Sequence, residues 1–173
     1  MPVLVVDLPD GGRPEALAAE IVGLGGSAVS FGCDISQSIS VKGMIDKAVE
    51  LWGRLDIVVN NAMWMGKGGP SGGLHGSAVE LAEESWSYAF DVGLKSQFLA
   101  TKHAVPEMVK NSGQTKGAIV NISSVEGVLM SRRNLACECD NRSCPSNCIA
   151  LCRLAMTFSW DRCYGQTRGA RAY

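Results

Sequence analysis

The stretch Leu55-Asp56-Ile57-Val58-Val59-Asn60-Asn61-Ala62 is a short, continuous apolar run that ends in two asparagines. A run of this length and composition predicts a strand buried on both faces. It leads into a glycine-rich segment, residues 66–73, which has no period and reads as an exposed loop. Before it, Val41, Met44, Ile45, Ala48, Val49 and Trp52 recur at helical spacing, and Gly53 closes that helix. Residues 28–31 form an earlier short strand, followed by Asp34-Ile35-Ser36. Earlier still, Leu17, Ile21 and Leu24 place a helix over residues 13–24, stopped by Gly25-Gly26. The chain opens on the apolar run Val3-Leu4-Val5-Val6, ended by Asp7. Downstream, Trp86, Phe90, Leu94 and Phe98 stack at steps of four along a long helix over about residues 83–110. Ala118-Ile119-Val120-Asn121-Ile122 is then a fourth strand. Strands alternating with helices of this length imply the doubly wound α/β class, a parallel sheet with helices on its faces.

Composition narrows the function classes. The 173 residues are 46% hydrophobic and 19% charged, ordinary for one globular domain. With 16 basic and 17 acidic residues there is no overall field to attract nucleic acid or an acidic membrane surface. No stretch approaches the roughly 20 apolar residues of a membrane span, and a basic region followed by an apolar run is missing at the N-terminus. The expected setting is cytoplasmic, with neither nucleic acid nor membrane as partner. Only Cys33 of the seven cysteines precedes Cys137, and no lysine follows Lys116. The spacing of Cys137, Cys139, Cys144, Cys148 and Cys152 lacks paired Cys-x2-Cys knuckles, so no metal site is assigned. The regular pattern weakens past Leu135, and the chain divides into residues 1–136 and a Cys/Arg-rich tail, residues 137–173. A shifted reading frame or a misjoined exon would leave such a tail.

In their order, these short motifs resemble the short-chain dehydrogenase/reductase family from its second strand onward, over residues 3–136. The resemblance implies an incomplete Rossmann-like doubly wound parallel sheet, with residues 1–136 a partial NAD(P)-binding domain lacking the first strand and its glycine-rich turn. Asp7 looks like the acidic residue that accepts the hydroxyls of the adenosine ribose; a carboxylate there repels a 2′-phosphate, which favours NAD over NADP. Asp7 also reads as an acidic residue that merely ends a strand and enters a turn. Asp34-Ile35 resembles the pair that meets the adenine ring. Asn60-Asn61-Ala62 resembles the family's Asn-Asn-Ala-Gly element, whose role is to bind adenosine and steady the central sheet, so Asn61 and Ala62 join the cofactor-binding set. Met63 stands where the family has glycine. The stretch reading Gly-Ala-Ile-Val-Asn-Ile-Ser-Ser-Val-Glu-Gly, residues 117–127, is the strongest match, and it makes Ser124 the residue that steadies charge on the substrate oxygen.

Other parts of the family pattern are missing. A glycine-rich turn lets backbone approach a pyrophosphate at a helix N-terminus, and the six residues before Asp7 leave no space for one. The absent strand would lie between the family's second and fourth, leaving two edges unpaired. The family's proton donor is a tyrosine about thirteen residues past the serine, with a lysine four later; those positions hold Cys137 and Asn141. The helix asparagine of the family falls at Gly93. His75 and His103 belong to no motif and read as surface or packing residues. The resemblance therefore implies an NAD(P)-dependent oxidoreductase that acts on a secondary alcohol or ketone by hydride transfer, inactive in this form and binding NAD weakly. The alternative is a non-catalytic remnant or interaction protein that uses helix 83–110, the element through which a homo-oligomer would form.

Overall fold

The structure is a computed structural model and describes residues 1–9, 12–64, 69–70, 81–113 and 116–122. Its elements follow the alternating order that the sequence predicts: β1 (Val3–Asp7), α1 (Arg13–Gly23), β2 (Ala28–Gly32), α2 (Ser38–Trp52), β3 (Ile57–Asn60), α3 (Glu83–Phe90), a π-helical turn (Asp91–Lys95), α4 (Ser96–Met108) and β4 (Ala118–Asn121). Among the described residues, no helix is long and apolar enough to cross a membrane.

Local chemistry explains where these elements stop. Helix α1 follows Gly12, at φ 59°, and has Pro14 in its first turn, where a missing N–H costs nothing. It ends in a Schellman motif: Gly26 N–H donates to the Ile21 carbonyl, Gly25 N–H donates to that of Val22, and Gly25 is left-handed at φ 85°. Helix α2 ends at Gly53, also left-handed. Its buried side, Val41, Ile45 and Ala48, is the side the spacing predicts. Helix α1 differs, because it buries Pro14 and Ala18 while Leu17 and Leu24 are exposed. Neighbouring helical residues lie about 100° apart, so seating Ala18 turns Leu17 outward.

The long helix shows the same offset. α3, the π turn and α4 run on without a break. The buried side of α4 is Ser96, Leu99, Ala100, Ala104 and Met108, continuing from Val92 in the turn. Burial of Leu99 and Ala100 directs Phe98 outward, and Phe98 is 62% exposed. Trp86, Phe90 and Leu94 are half-buried, so the aromatic stripe flanks the core-facing side. Helices α2 and α4 pack on one another, with the small residues Ala48, Ala100 and Ala104 among those they bury.

Hydrogen bonding sorts the four strands into two pairs, β1 with β2 and β3 with β4. β1 and β2 are parallel, in register from Val3 opposite Ala28 to Asp7 opposite Gly32. β3 and β4 run the same way: Gly117, just before β4, lies against the Asp56 carbonyl, and Ile122 N–H, just after it, donates to the Asn60 carbonyl at 2.9 Å. Among the described residues no strand joins the two pairs. The four residues Ile57, Val59, Val120 and Ile122 alternate along β3 and β4 and are 43–57% exposed, a sheet face that none of the described elements buries.

The chain divides into two compact units: Met1–Val58 with Phe90–Gly117, and the described residues within Val59–Ala89 and Ala118–Tyr173. The first is organised by the packing of α2 on α4 and by Asn111. The Asn111 amide donates to the carbonyls of Leu55 and Lys116 at 2.7 and 2.6 Å, tying the end of the long helix to the approaches of β3 and β4. Gly117 is close-packed there; a Cβ would stand 2.7 Å from the Met108 sulfur and 3.1 Å from the Asp56 carbonyl oxygen. Gly117→Ala is expected to destabilise the fold by about 1–3 kcal/mol through overpacking, seen as a lowered midpoint in thermal or urea unfolding. An unchanged midpoint would show that Met108 gives way without cost.

Candidate functional site

The candidate residues lie where parallel strands end. In open α/β sheets the carboxyl ends of the strands carry the ligand site, because the chain leaves the sheet there in loops that side chains and helix N-termini can line. Asp7 is the last residue of β1, opposite Gly32, and its carbonyl accepts Cys33 N–H at 2.9 Å. That bond brings Asp7 to the point where β2 gives way to Asp34 and Ile35. Three of the sequence-selected residues thus share one strand-pair edge. One carboxylate oxygen of Asp7, Oδ1, accepts the Leu8 N–H at 2.8 Å.

Asp34 also stabilises its own turn. Its Oδ1 accepts from both the Ser36 N–H at 2.9 Å and the Ser36 hydroxyl at 2.7 Å. Such a turn shapes the entry into α2, and it commits one oxygen of a carboxylate that sequence reading set aside for adenine alone. Ile35 beside it is half-buried. Cys33 is buried, and its thiol is pushed up to about 11, first by loss of solvent and then by the neighbouring Asp34 charge. A thiol so raised stays neutral at physiological pH, which makes it a weak nucleophile there.

Asn61 and Ala62 follow the last residue of β3 and are exposed, as is Met63 in the family's glycine position. Trp64 is only 6% exposed. Its ring meets Tyr88 of α3 edge to face, with centroids 5.0 Å apart and planes at 87°. Gly69 fits against both rings, since a Cβ there would come within 2.8 Å of each. The segment after Asn60-Asn61-Ala62 is therefore anchored on α3 by an aromatic contact that sequence reading missed. The signal was a tryptophan directly after the motif, at odds with an exposed loop.

Gly93 lies inside the π turn, and its carbonyl accepts the Gln97 side-chain amide at 2.9 Å. π turns are often found at functional sites, and nothing comes within 4 Å of a Cβ built at Gly93. His103 pairs with the Ser38 hydroxyl at 3.0 Å between α4 and the start of α2, a packing role as the sequence suggests. Ser124, Cys137, Asn141, His75 and the tail, residues 137–173, lie outside the described residues.

A protein-family model described as Enoyl-(Acyl carrier protein) reductase matches residues 1–139. The chain belongs to the short-chain dehydrogenase/reductase family. Among curated proteins, the chain is 34% identical over 116 residues to the 3-oxoacyl-[acyl-carrier-protein] reductase FabG of Thermotoga maritima, covering 66% of this chain and 42% of that protein. A Burkholderia xenovorans crystal structure described as a short-chain dehydrogenase/reductase superposes with a TM-score of 0.63 at 32% identity, covering 78% of this chain and 47% of the other. The 3-oxoacyl-[acyl-carrier protein] reductase of Brucella melitensis, solved in complex with NAD, has a TM-score of 0.66 at 24% identity, covering 88% and 53%, and supports the fold. This member of the family spans about half the length of the relatives it matches.

Whether the residues present fit a nicotinamide dinucleotide divides along the cofactor. Asp7, Asp34 and Ile35 stand at one strand-pair edge, a carboxylate at the end of one strand and an apolar residue just past the end of the next, residue types that suit an adenosine. For the pyrophosphate, no described strand-to-helix turn carries the glycine spacing of a phosphate cradle. Among the described residues, those at this edge have the chemistry to meet the adenosine end of the cofactor.

Proposed function

We propose that the chain is the adenosine-binding portion of an oxidoreductase that uses NAD in preference to NADP and acts on a secondary alcohol or ketone. The observation that carries this reading is the Asp7–Cys33 junction, which brings the backbone of Asp7 next to the segment that carries Asp34 and Ile35 at the carboxyl edge of a parallel pair. Asp7 accepts the ribose hydroxyls, and its charge opposes a 2′-phosphate. Ile35 packs on the adenine, Asp34 accepts from its exocyclic amine, and Asn61 and Ala62 belong to the cofactor-binding set through their match to the family's Asn-Asn-Ala element. Ser124 donates to the substrate oxygen. The bound nicotinamide supplies or accepts hydride. With cysteine and asparagine where a tyrosine and a lysine would move the proton, this polypeptide by itself turns over substrate slowly or not at all.

The test is a titration of the purified chain with NADH and NADPH, followed by tryptophan and nicotinamide emission. Saturable binding in the millimolar range, tighter for NADH, is expected. Asp7→Asn should reduce that preference by roughly tenfold, the value of one charge-assisted contact. Absence of saturable binding to either nucleotide would remove this reading.

The exposure of Phe98 favours a second reading, in which the chain associates through the outer side of its long helix, with or without catalysis. Under it, sedimentation of the chain shows a discrete dimer or larger closed assembly, and Phe98→Asp shifts the population to monomer. A monomer for both proteins would rule the second reading out.

A further inference from the structure

Ser36 is only 3% exposed, and its hydroxyl stands in a short chain of hydrogen bonds that ends on Asp34. The Gln37 side-chain amide donates to the Ser36 oxygen at 3.1 Å, and the Ser36 hydroxyl donates to Asp34 Oδ1 at 2.7 Å. Chemistry sets that direction, because a hydroxyl has one proton and an ionised carboxylate only accepts. The Ser36 N–H reaches the same Oδ1 at 2.9 Å. Both hydrogen bonds that the described residues give the Asp34 carboxylate therefore fall on one oxygen, and Oδ2 keeps its lone pairs. We propose that Ser36 is a positioning residue: its hydroxyl, backed by Gln37, holds the Asp34 carboxylate with Oδ2 available to an exocyclic amine, and so makes this strand-end edge selective for a 6-aminopurine over a 6-oxopurine.

The hydroxyl adds something that the turn already has without it. Two backbone donors close the turn, Gln37 N–H to the Asp34 carbonyl at 3.1 Å and Ser36 N–H to Oδ1, and an alanine at position 36 would supply the second as well as serine does. What the hydroxyl contributes is a charge-assisted bond to the carboxylate and the filling of the second acceptor site on Oδ1. With that site filled, a ligand's amine meets Oδ2. With it open, water competes for the carboxylate, which pivots about a single N–H contact. The amine at C6 of adenine donates to Oδ2, whereas the C6 oxygen of hypoxanthine is an acceptor facing a charge that has no proton to give. Ser36 is buried, so it acts through Asp34 and not by touching a ligand itself. The hydrogen-bond chain stands on geometry alone. Its consequence for the purine rests on the proposed NAD reading, in which Asp34 meets the adenine amine.

The test titrates the full chain with NADH and with reduced nicotinamide hypoxanthine dinucleotide, in which the C6 amine is replaced by oxygen, and follows nicotinamide emission. The unsubstituted chain should bind NADH more tightly by at least about tenfold, the worth of one hydrogen bond to a charged group. In Ser36→Ala that ratio should fall by about fivefold, the net worth of one hydrogen bond, although the protein still melts cooperatively. Ser36→Thr keeps a hydroxyl and should keep the ratio. An unchanged ratio in folded Ser36→Ala, or a loss in Ser36→Thr as large as in Ser36→Ala, overturns the proposal. If Ser36→Ala does not fold, Ser36→Cys takes its place, being close in shape and a weak donor. A ratio there equal to that of the unsubstituted chain overturns the proposal in the same way. Saturable binding of both nucleotides with equal affinity by the unsubstituted chain removes the purine selectivity and leaves the NAD reading standing, whereas no saturable binding of either removes both.

Discussion

A parallel strand presents hydrogen-bonding groups along two edges and side chains on two faces, and it is stable when all four are engaged. In this chain β1 bonds β2 and β3 bonds β4, with no described strand between the pairs. The rest of the structure follows from that constraint. Helices α2 and α4 bury Val41, Ile45, Leu99, Ala104 and Met108, while Ile57, Val59, Val120 and Ile122 keep about half their surface in water. Full burial of such a side chain contributes about 1.5–3 kcal/mol, so completing the burial of four half-exposed ones is on the order of 3–6 kcal/mol. That is comparable with the net stability of an ordinary domain, about 5–15 kcal/mol. Cover for this face is therefore a first-order term in whether the chain stands alone.

The same strand geometry accounts for the site. Because parallel strands end on one edge of their sheet, β1 and β2 bring Asp7 next to the segment of Asp34 and Ile35, more than twenty positions along the chain. Asp34 adds a constraint of its own: by holding Ser36 it shapes the approach to α2, so its carboxylate has a structural task beside the one proposed for ligand. In the proposed reading, these residues serve the half of a dinucleotide that needs a carboxylate and an apolar wall.

Most element types and their order were legible in the sequence, because apolar period and glycine stops report local geometry. Gly25-Gly26 reads as a stop and forms a Schellman motif. Which side of a helix is buried was less legible. Leu17 and Phe98 are large and apolar and suit a core face, yet Ala18, Leu99 and Ala100 take the buried positions, because which side of each helix meets its neighbours is set by tertiary packing and not by the helix's own period. Trp64 was missed for a related reason, as its partner Tyr88 lies more than twenty positions away and no local period connects them. The hydrogen bond between the Asn60 and Asn121 side chains is equally non-local, although both residues were already part of motifs. Asp7, Asp34, Ile35, Asn61 and Ala62 stand at strand ends as the resemblance implied, while Ser124 lies outside the described residues.

The central claim is the proposal that the strand-end edge of β1 and β2 binds adenosine, with Asn61 and Ala62 in the cofactor-binding set by the family resemblance. Backbone amide hydrogen exchange, with and without saturating NADH, tests it most directly. The account predicts slowed exchange at Asp7 and Leu8, from Cys33 to Ile35 and from Asn60 to Met63, with the outer side of α4 unchanged. Exchange unaffected at all three segments, or slowed only elsewhere, would contradict it.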